Sequence, residues 1–157
     1  MGVSGSGKTT IGKLLAEKTS IVFFDADDFH PMANREKMKA GQPLTDEDRG
    51  VWLLRINELA RDQSTQGGAI IACSALKEKY RNILSSGITL PVYWIFLQGR
   101  FERVKERIEA RKGHFMPGSL LQSQFDILEP PHDAIIADIE NDPGDIVSAI
   151  LRQIDGE

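Results

Sequence analysis

One cysteine, Cys73, stands among 157 residues, so the chain can form no disulfide within itself. It lies in an apolar run and reads as a core residue, not a nucleophile. No apolar stretch approaches the roughly 20 residues that span a bilayer, so no membrane partner is expected. No secretory signal pattern opens the sequence, and with a single thiol a cytoplasmic location is expected. Basic charge is also scarce: 19 Lys and Arg stand against 23 Asp and Glu, a net charge of −4. A general nucleic-acid surface needs the opposite balance, so no nucleic-acid partner is expected. Internal repeats and low-complexity linkers are absent. The length suits one domain, residues 1–157, with a real core.

What is present alternates. Continuous apolar runs at Ile21 to Phe24, Ala69 to Cys73, Val92 to Leu97 and Ala134 to Asp138 read as strands buried on both faces. Helical patterns lie between them. One starts near Thr45, with three acidic residues in its first turn, and carries Trp52, Leu53, Ile56 and Leu59. Others run over Leu76 to Leu84, Phe101 to Arg111, Leu120 to Leu128, and onward from Pro143. Strand–helix alternation predicts an α/β fold of three layers, a parallel sheet flanked by helices.

The opening residues, MGVSGSGKTT, fit G-x-x-x-x-G-K-[ST] through Gly2, Gly7, Lys8 and Thr9. Glycines at 2, 5 and 7 let the backbone curl around phosphate oxygens, and Ser4, Ser6 and Thr10 complete the cradle. Lys8 is expected on the β- and γ-phosphates, and the Thr9 hydroxyl on Mg²⁺. Ile11, Leu14 and Leu15 have helical spacing, which sets the phosphates at a helix N-terminus. A dinucleotide fingerprint fits poorly, because Thr10 stands where its third glycine belongs. A strand normally leads into such a loop, and here only Met1 precedes it. The expectation is a chain short of its first strand, an apolar run of roughly six residues.

FFDADDFHP follows the first of the four runs, at the strand edge where open α/β sheets bind ligands. Strand alternation would set Asp25 and Asp27 on one side and Asp28 on the other. One carboxylate, Asp25, can hold a metal-bound water; the other, Asp27, can take the proton of an attacking hydroxyl.

Further segments carry a family resemblance. NREKMKAGQPLTDEDRGVWL, CSALKEKYR and RKGHFMPGSLLQSQFDILEPP, with GVSGSGKTT and DADDFHP, resemble the gluconokinase family. These are small phosphate-loop kinases that phosphorylate D-gluconate on its 6-hydroxyl. The resemblance runs from Gly2 to about Pro131. It implies a nucleoside-monophosphate-kinase-like fold, ATP and Mg²⁺ as cofactors, a mobile lid at about 107–119 and an acceptor-binding helical segment at about 31–65. A homodimer is the common family assembly.

Gluconate needs cations for its carboxylate and polar groups along its chain. Arg49 suits the carboxylate, since a guanidinium grips it bidentately. Lys77 and Arg81, four apart, are expected on one helix face toward the cleft. His30, Asp27 and His114 complete the expected acceptor contacts, with Arg35 and Lys37 flanking the acidic turn. In the basic segment from Arg103, Arg107 and Arg111 are expected to close over the phosphates and offset charge on the transferred group. The alternatives are a related kinase for shikimate or a nucleoside monophosphate, or a nucleotide-binding protein whose turnover is lost with the first strand.

Overall fold

The computed structural model describes residues 1–111 and 117–156. His114 and most of the expected lid tip lie outside the described residues. Helix α1 (Lys8–Thr19) follows the glycine loop, and strand β1 (Phe23–Asp25) runs into a 3₁₀ turn (Ala26–Phe29). Then come α2 (Met32–Lys39), α3 (Asp46–Ser64), β2 (Ile70–Ala72) and α4 (Glu78–Ser85). Strand β3 (Ile95–Gln98), α5 (Phe101–Glu109), α6 (Gly118–Ile127), β4 (Ile135–Asp138) and α7 (Pro143–Asp155) complete the order.

All pairing is parallel. β1 lies on β2 with Phe24 opposite Ile71, and β3 lies on β4 with Phe96 opposite Ile136. Residues 1 and 2 link the two pairs. The Met1 carbonyl accepts from Leu97 N at 3.0 Å, the Met1 amine donates to the Ile95 carbonyl, and Gly2 N donates to Ser74 O at 3.2 Å. Among the described residues no strand precedes α1, and this short extended stretch sits between β2 and β3 in its place.

Neighbouring side chains on β3 point to opposite faces, as the strand period requires. Leu97 joins one buried cluster, with Val3, Ile11, Leu15, Val104, Leu121 and Ile150. Phe96 joins the other, with Met1, Trp52, Leu53, Ile56, Cys73 and Tyr80. This gives helices on both faces of the sheet.

The strands are shorter and less buried than their apolar runs predict. Ile21, Val22, Val92 and Tyr93 are exposed ahead of their ladders, and Ile136 is exposed on β4. β1 and β4 have a ladder partner on one side only, so part of each stays open. α2 and the 3₁₀ turn have no counterpart in the periodicity reading. The α2 sequence, MANREKMK, carries no apolar stripe, and its one buried residue is Asn34.

α3 begins where its sequence predicts. The Thr45 hydroxyl accepts from Asp48 N at 3.1 Å, and the Asp48 carboxylate accepts from Thr45 N at 2.9 Å, closing a capping box. Thr45→Ala is expected to cost about 1 kcal/mol. Urea melts of the two proteins check this, and an unshifted midpoint would refute it.

Candidate functional site

The loop before α1 is shaped by glycines in conformations that L side chains avoid. Gly5 has φ +78° and Gly7 φ +96°. A Cβ at Gly5 would also come within 2.6 Å of Ile108. Gly7 caps α1 with no side chain, and no acidic residue stands in the helix's first turn. Among the described residues the N–H groups that open α1 therefore have no carboxylate or hydroxyl cap, and at the positive end of the helix dipole they suit an anion. Ser6 is 2% exposed, and its buried Oγ has no hydrogen-bond partner among the described residues. A polar atom buried at that cost is one a ligand oxygen can satisfy. The cradle fits a polyphosphate.

Lys8 is half-buried and folds over the loop, where its ammonium donates to the Val3 carbonyl at 2.9 Å. Burial lowers its proton affinity, and Asp27 and Asp25 pull the other way. Thr9 Oγ1 donates to Asp25 Oδ2 at 2.7 Å, which joins the loop to the end of β1. These are two hard oxygen donors at the mouth of a phosphate cradle, the set that suits Mg²⁺.

The alternation expected of Asp25 and Asp27 is corrected by the turn between them. The chain leaves β1 at Asp25 and enters the 3₁₀ turn, where Asp25 Oδ1 accepts from Asp27 N at 3.1 Å. Both carboxylates nevertheless stay in the field of Lys8. The Asp27 side chain is 75% exposed. The surrounding protein raises its proton affinity, and Lys8 opposes that rise.

His30 is buried and lies flat on Trp52, with ring centroids 4.3 Å apart and planes 13° from parallel. Burial first, then Arg49 and Arg35, push its ionisation down from 6.5 to about 4. The unfolded chain therefore binds a proton that the folded chain refuses. This contribution to stability is full above about pH 6.5 and declines as pH falls toward 4. Between pH 7 and pH 5, unfolding free energy is expected to drop by about 2 kcal/mol more in the native chain than in His30→Gln. Equal drops in urea melts would refute it.

Arg49 is also buried. Its Nη1 donates to the Leu44 carbonyl at 2.6 Å and to the Tyr80 hydroxyl at 3.3 Å, and the guanidinium sits 5.5 Å from the Tyr80 ring centre. Lys77 and Arg81 do not share a helix face. α4 begins at Glu78, and Lys77 is the extended residue before it. Its ammonium pairs with Asp46 at 3.0 Å, and Asp46 also accepts from Lys79 and the Tyr80 hydroxyl. Arg81 turns inward and donates to the Ala75 carbonyl at 3.0 Å. Arg35 likewise serves the backbone, donating to the Asp28 and His30 carbonyls. Lys37 holds both Asp48 oxygens at 2.8 Å.

On the lid side, Arg107 donates to the Ile139 carbonyl, and Arg103 pairs on the surface with Glu106 and Glu140. Arg111 lies within the electrostatic reach of Lys8. Two residues without an expected role also belong here. Gln124 on α6 accepts from Ser4 N at 2.7 Å, which ties the helix behind the lid to the phosphate loop. Asn34 on α2 sits between His30 and the Asp48 carbonyl. Its signal in the sequence is faint: a lone amide in a polar helix.

The shikimate kinase family model matches residues 4–153 of the chain. A thermosensitive gluconokinase of Escherichia coli K12 is 44% identical, over 98% of this chain and 84% of that protein. A probable gluconokinase of Xenopus tropicalis is 42% identical, over 100% of this chain and 90% of its own length. Among solved structures, a gluconokinase from Sinorhizobium meliloti 1021 superposes with a TM-score of 0.88 at 37% identity, over 99% of this chain and 91% of that one.

Proposed function

This chain belongs to the gluconokinase family, and we propose a residue-level account of how it phosphorylates gluconate with ATP. The observation that carries it is the Lys8 ammonium over the loop, the Thr9–Asp25 pair beside it, and the exposed Asp27 close enough for its charge to act on Lys8. The cradle of Gly2, Ser4, Gly5, Ser6, Gly7, Lys8, Thr9 and Thr10 holds the triphosphate by backbone N–H groups and the Lys8 ammonium. Thr9, with Asp25 acting through water, would hold Mg²⁺, which would supply neutralising charge to the phosphates.

Asp27 orients the 6-hydroxyl of D-gluconate and takes its proton. The hydroxyl oxygen then bonds to the γ-phosphorus as the bond to the bridging oxygen breaks, and ADP leaves. Lys8, with Arg107 and Arg111 from the lid at about 107–119, offsets the charge that develops. That role requires Arg107 to leave the Ile139 carbonyl as the lid closes. Closure excludes the water that competes for the phosphoryl group.

Arg49 and Lys77 offer cations to the gluconate carboxylate from the helical segment at about 31–65 and from the start of α4. Arg81 supports this corner by holding the Ala75–Leu76 backbone beneath it. His114, outside the described residues, is proposed as a further acceptor contact. The whole chain acts as one domain, in the cytoplasm, with a homodimer as the assembly. Among the described residues no helix is long and apolar enough to cross a membrane.

The matching shikimate kinase family model favours a second acceptor, shikimate, and one experiment covers both. ADP release from Mg-ATP is measured with gluconate, shikimate, AMP or no acceptor. Release with gluconate alone is expected. Release with shikimate or AMP at equal efficiency would overturn the acceptor assignment. Nucleotide binding without acceptor-dependent release would overturn the kinase reading.

A further inference from the structure

Asn34 is 4% exposed, in a helix that otherwise faces solvent. Its amide nitrogen lies 2.8 Å from the Asp48 carbonyl oxygen and 3.4 Å from His30 Nδ1. A carbonyl oxygen only accepts, so the group facing it is the NH₂ and not the amide oxygen. The second N–H of the same nitrogen then points at His30 Nδ1. That atom must accept, and a neutral imidazole that accepts at Nδ1 carries its proton on Nε2. His30 Nε2 is 3.8 Å from Asp27 Oδ1. The ring has little freedom to turn away, because it is stacked on Trp52. Trp52 is itself held by its indole N–H on the Ala26 carbonyl at 2.7 Å.

We propose that Asn34 and His30 are positioning residues for phosphoryl transfer. Asn34 locks His30 as the Nε2–H tautomer, and that N–H holds the Asp27 carboxylate in the orientation that meets the acceptor hydroxyl. The inference rests on the reading of Asp27 as the base. Asp27 sits on a short turn with its side chain open, so nothing else among its hydrogen bonds restrains the carboxylate: its backbone N–H, not its carboxylate, is the group bonded to Asp25. A movement of about 0.8 Å brings it to hydrogen-bond length from Nε2. Both ring nitrogens are then engaged within the protein, and His30 acts on the acceptor only through Asp27. A neutral ring is what this role needs. An imidazolium would have a proton on Nδ1 aimed at the Asn34 NH₂, and burial together with Arg49 and Arg35 disfavours it.

The first test needs no variant in the measured protein. ¹⁵N NMR of the full chain at pH 7 reads the tautomer of each of its three histidines, with His30→Gln used only to assign the signal. A pyrrole-type Nε2 and a pyridine-type Nδ1 are expected for His30, and the reverse would overturn the proposal. The second test is kinetic. His30→Phe keeps the stack on Trp52 and loses the N–H; kcat is expected to fall about 10-fold or more, with KM for ATP within about twofold. His30→Gln returns an amide N–H and is expected to recover most of that loss. Asn34→Asp offers His30 an acceptor in place of a donor, which should switch the ring to Nδ1–H in the NMR spectrum and lower kcat as His30→Phe does. Added to Asp27→Asn, His30→Phe is expected to cost nothing further. If Asp27→Asn is crippled while His30→Phe retains full kcat, the positioning role is refuted and the base stands. If Asp27→Asn is itself fully active, the base reading fails and this inference falls with it.

Discussion

Lys8→Ala is expected to reduce turnover at least 10³-fold, about the upper end of what losing one preorganised charge donor costs. The ammonium folds back over the phosphate loop and bonds the Val3 carbonyl, so it stands at the cradle before any ligand arrives. Its burial lowers its proton affinity, and the charges of nearby groups, Asp27 first, pull the other way. A cation held so closely is partly desolvated, which strengthens its action on phosphate oxygens. The substitution removes a charge whose burial is costly and leaves the glycine conformations untouched. Stability should therefore change little while turnover collapses. Thermal melts and ADP release on the same preparation separate the two effects. Near-normal turnover would remove the loop lysine from the mechanism. A large fall in melting temperature would show instead that the Lys8–Val3 contact holds the loop together.

The loop and the fold were legible because each rests on a local rule. Gly5 and Gly7 appear in the sequence as the residues that positive φ requires, and both have it. Thr45 and Asp48 stand three apart before Trp52 and Leu53, and they close the cap that this spacing allows. Pro143 opens α7 and Gly156 ends it with φ +79°. Strand edges were less legible, since Ile21, Val22, Val92 and Tyr93 are apolar but exposed, ahead of the paired residues of β1 and β3. Composition marks a run as strand-like, whereas the hydrogen-bond partner that starts the strand is a long-range fact.

The acceptor side was legible only as a roster of charged residues. Arg49 and Arg81 are helical as their segments suggest, but Lys77 precedes α4 and does not share with Arg81 the helix face that their four-residue spacing predicts. What they bond to could not be read, because backbone carbonyls carry no residue-type signal and the Asp46 partner of Lys77 lies 31 residues away. A buried arginine that satisfies the carbonyls of Leu44 or Ala75 has the same residue type as one that grips a substrate carboxylate. The 3₁₀ turn after β1 was invisible for a related reason. DADDF has no apolar period, and the turn is stabilised by the Asp25 carboxylate accepting from Asp27 N, a capping contact with many competing alternatives.

Asp27→Asn carries the second large effect, and it decides what that turn is for. If Asp27 takes the hydroxyl proton, the amide cannot, and kcat should fall about 10²-fold or more with little change in KM for gluconate. The change is nearly isosteric, and the side chain is exposed, so the fold should be undisturbed. Asp25→Asn provides the contrast. Its carboxylate accepts from the Thr9 hydroxyl at 2.7 Å, so its loss should weaken the metal arm of the site and shift the Mg²⁺ concentration needed for half-maximal rate. Asp27→Asn should leave that Mg²⁺ requirement where it is. A kcat loss with an unchanged Mg²⁺ requirement assigns Asp27 to the proton. A loss confined to KM for gluconate would make Asp27 a binding residue and leave the proton to water or to the phosphate itself. A shifted Mg²⁺ requirement would place both aspartates on the metal. The 3₁₀ turn is what would make the separation of roles possible: within three residues it turns one carboxylate toward Thr9 and leaves the other exposed.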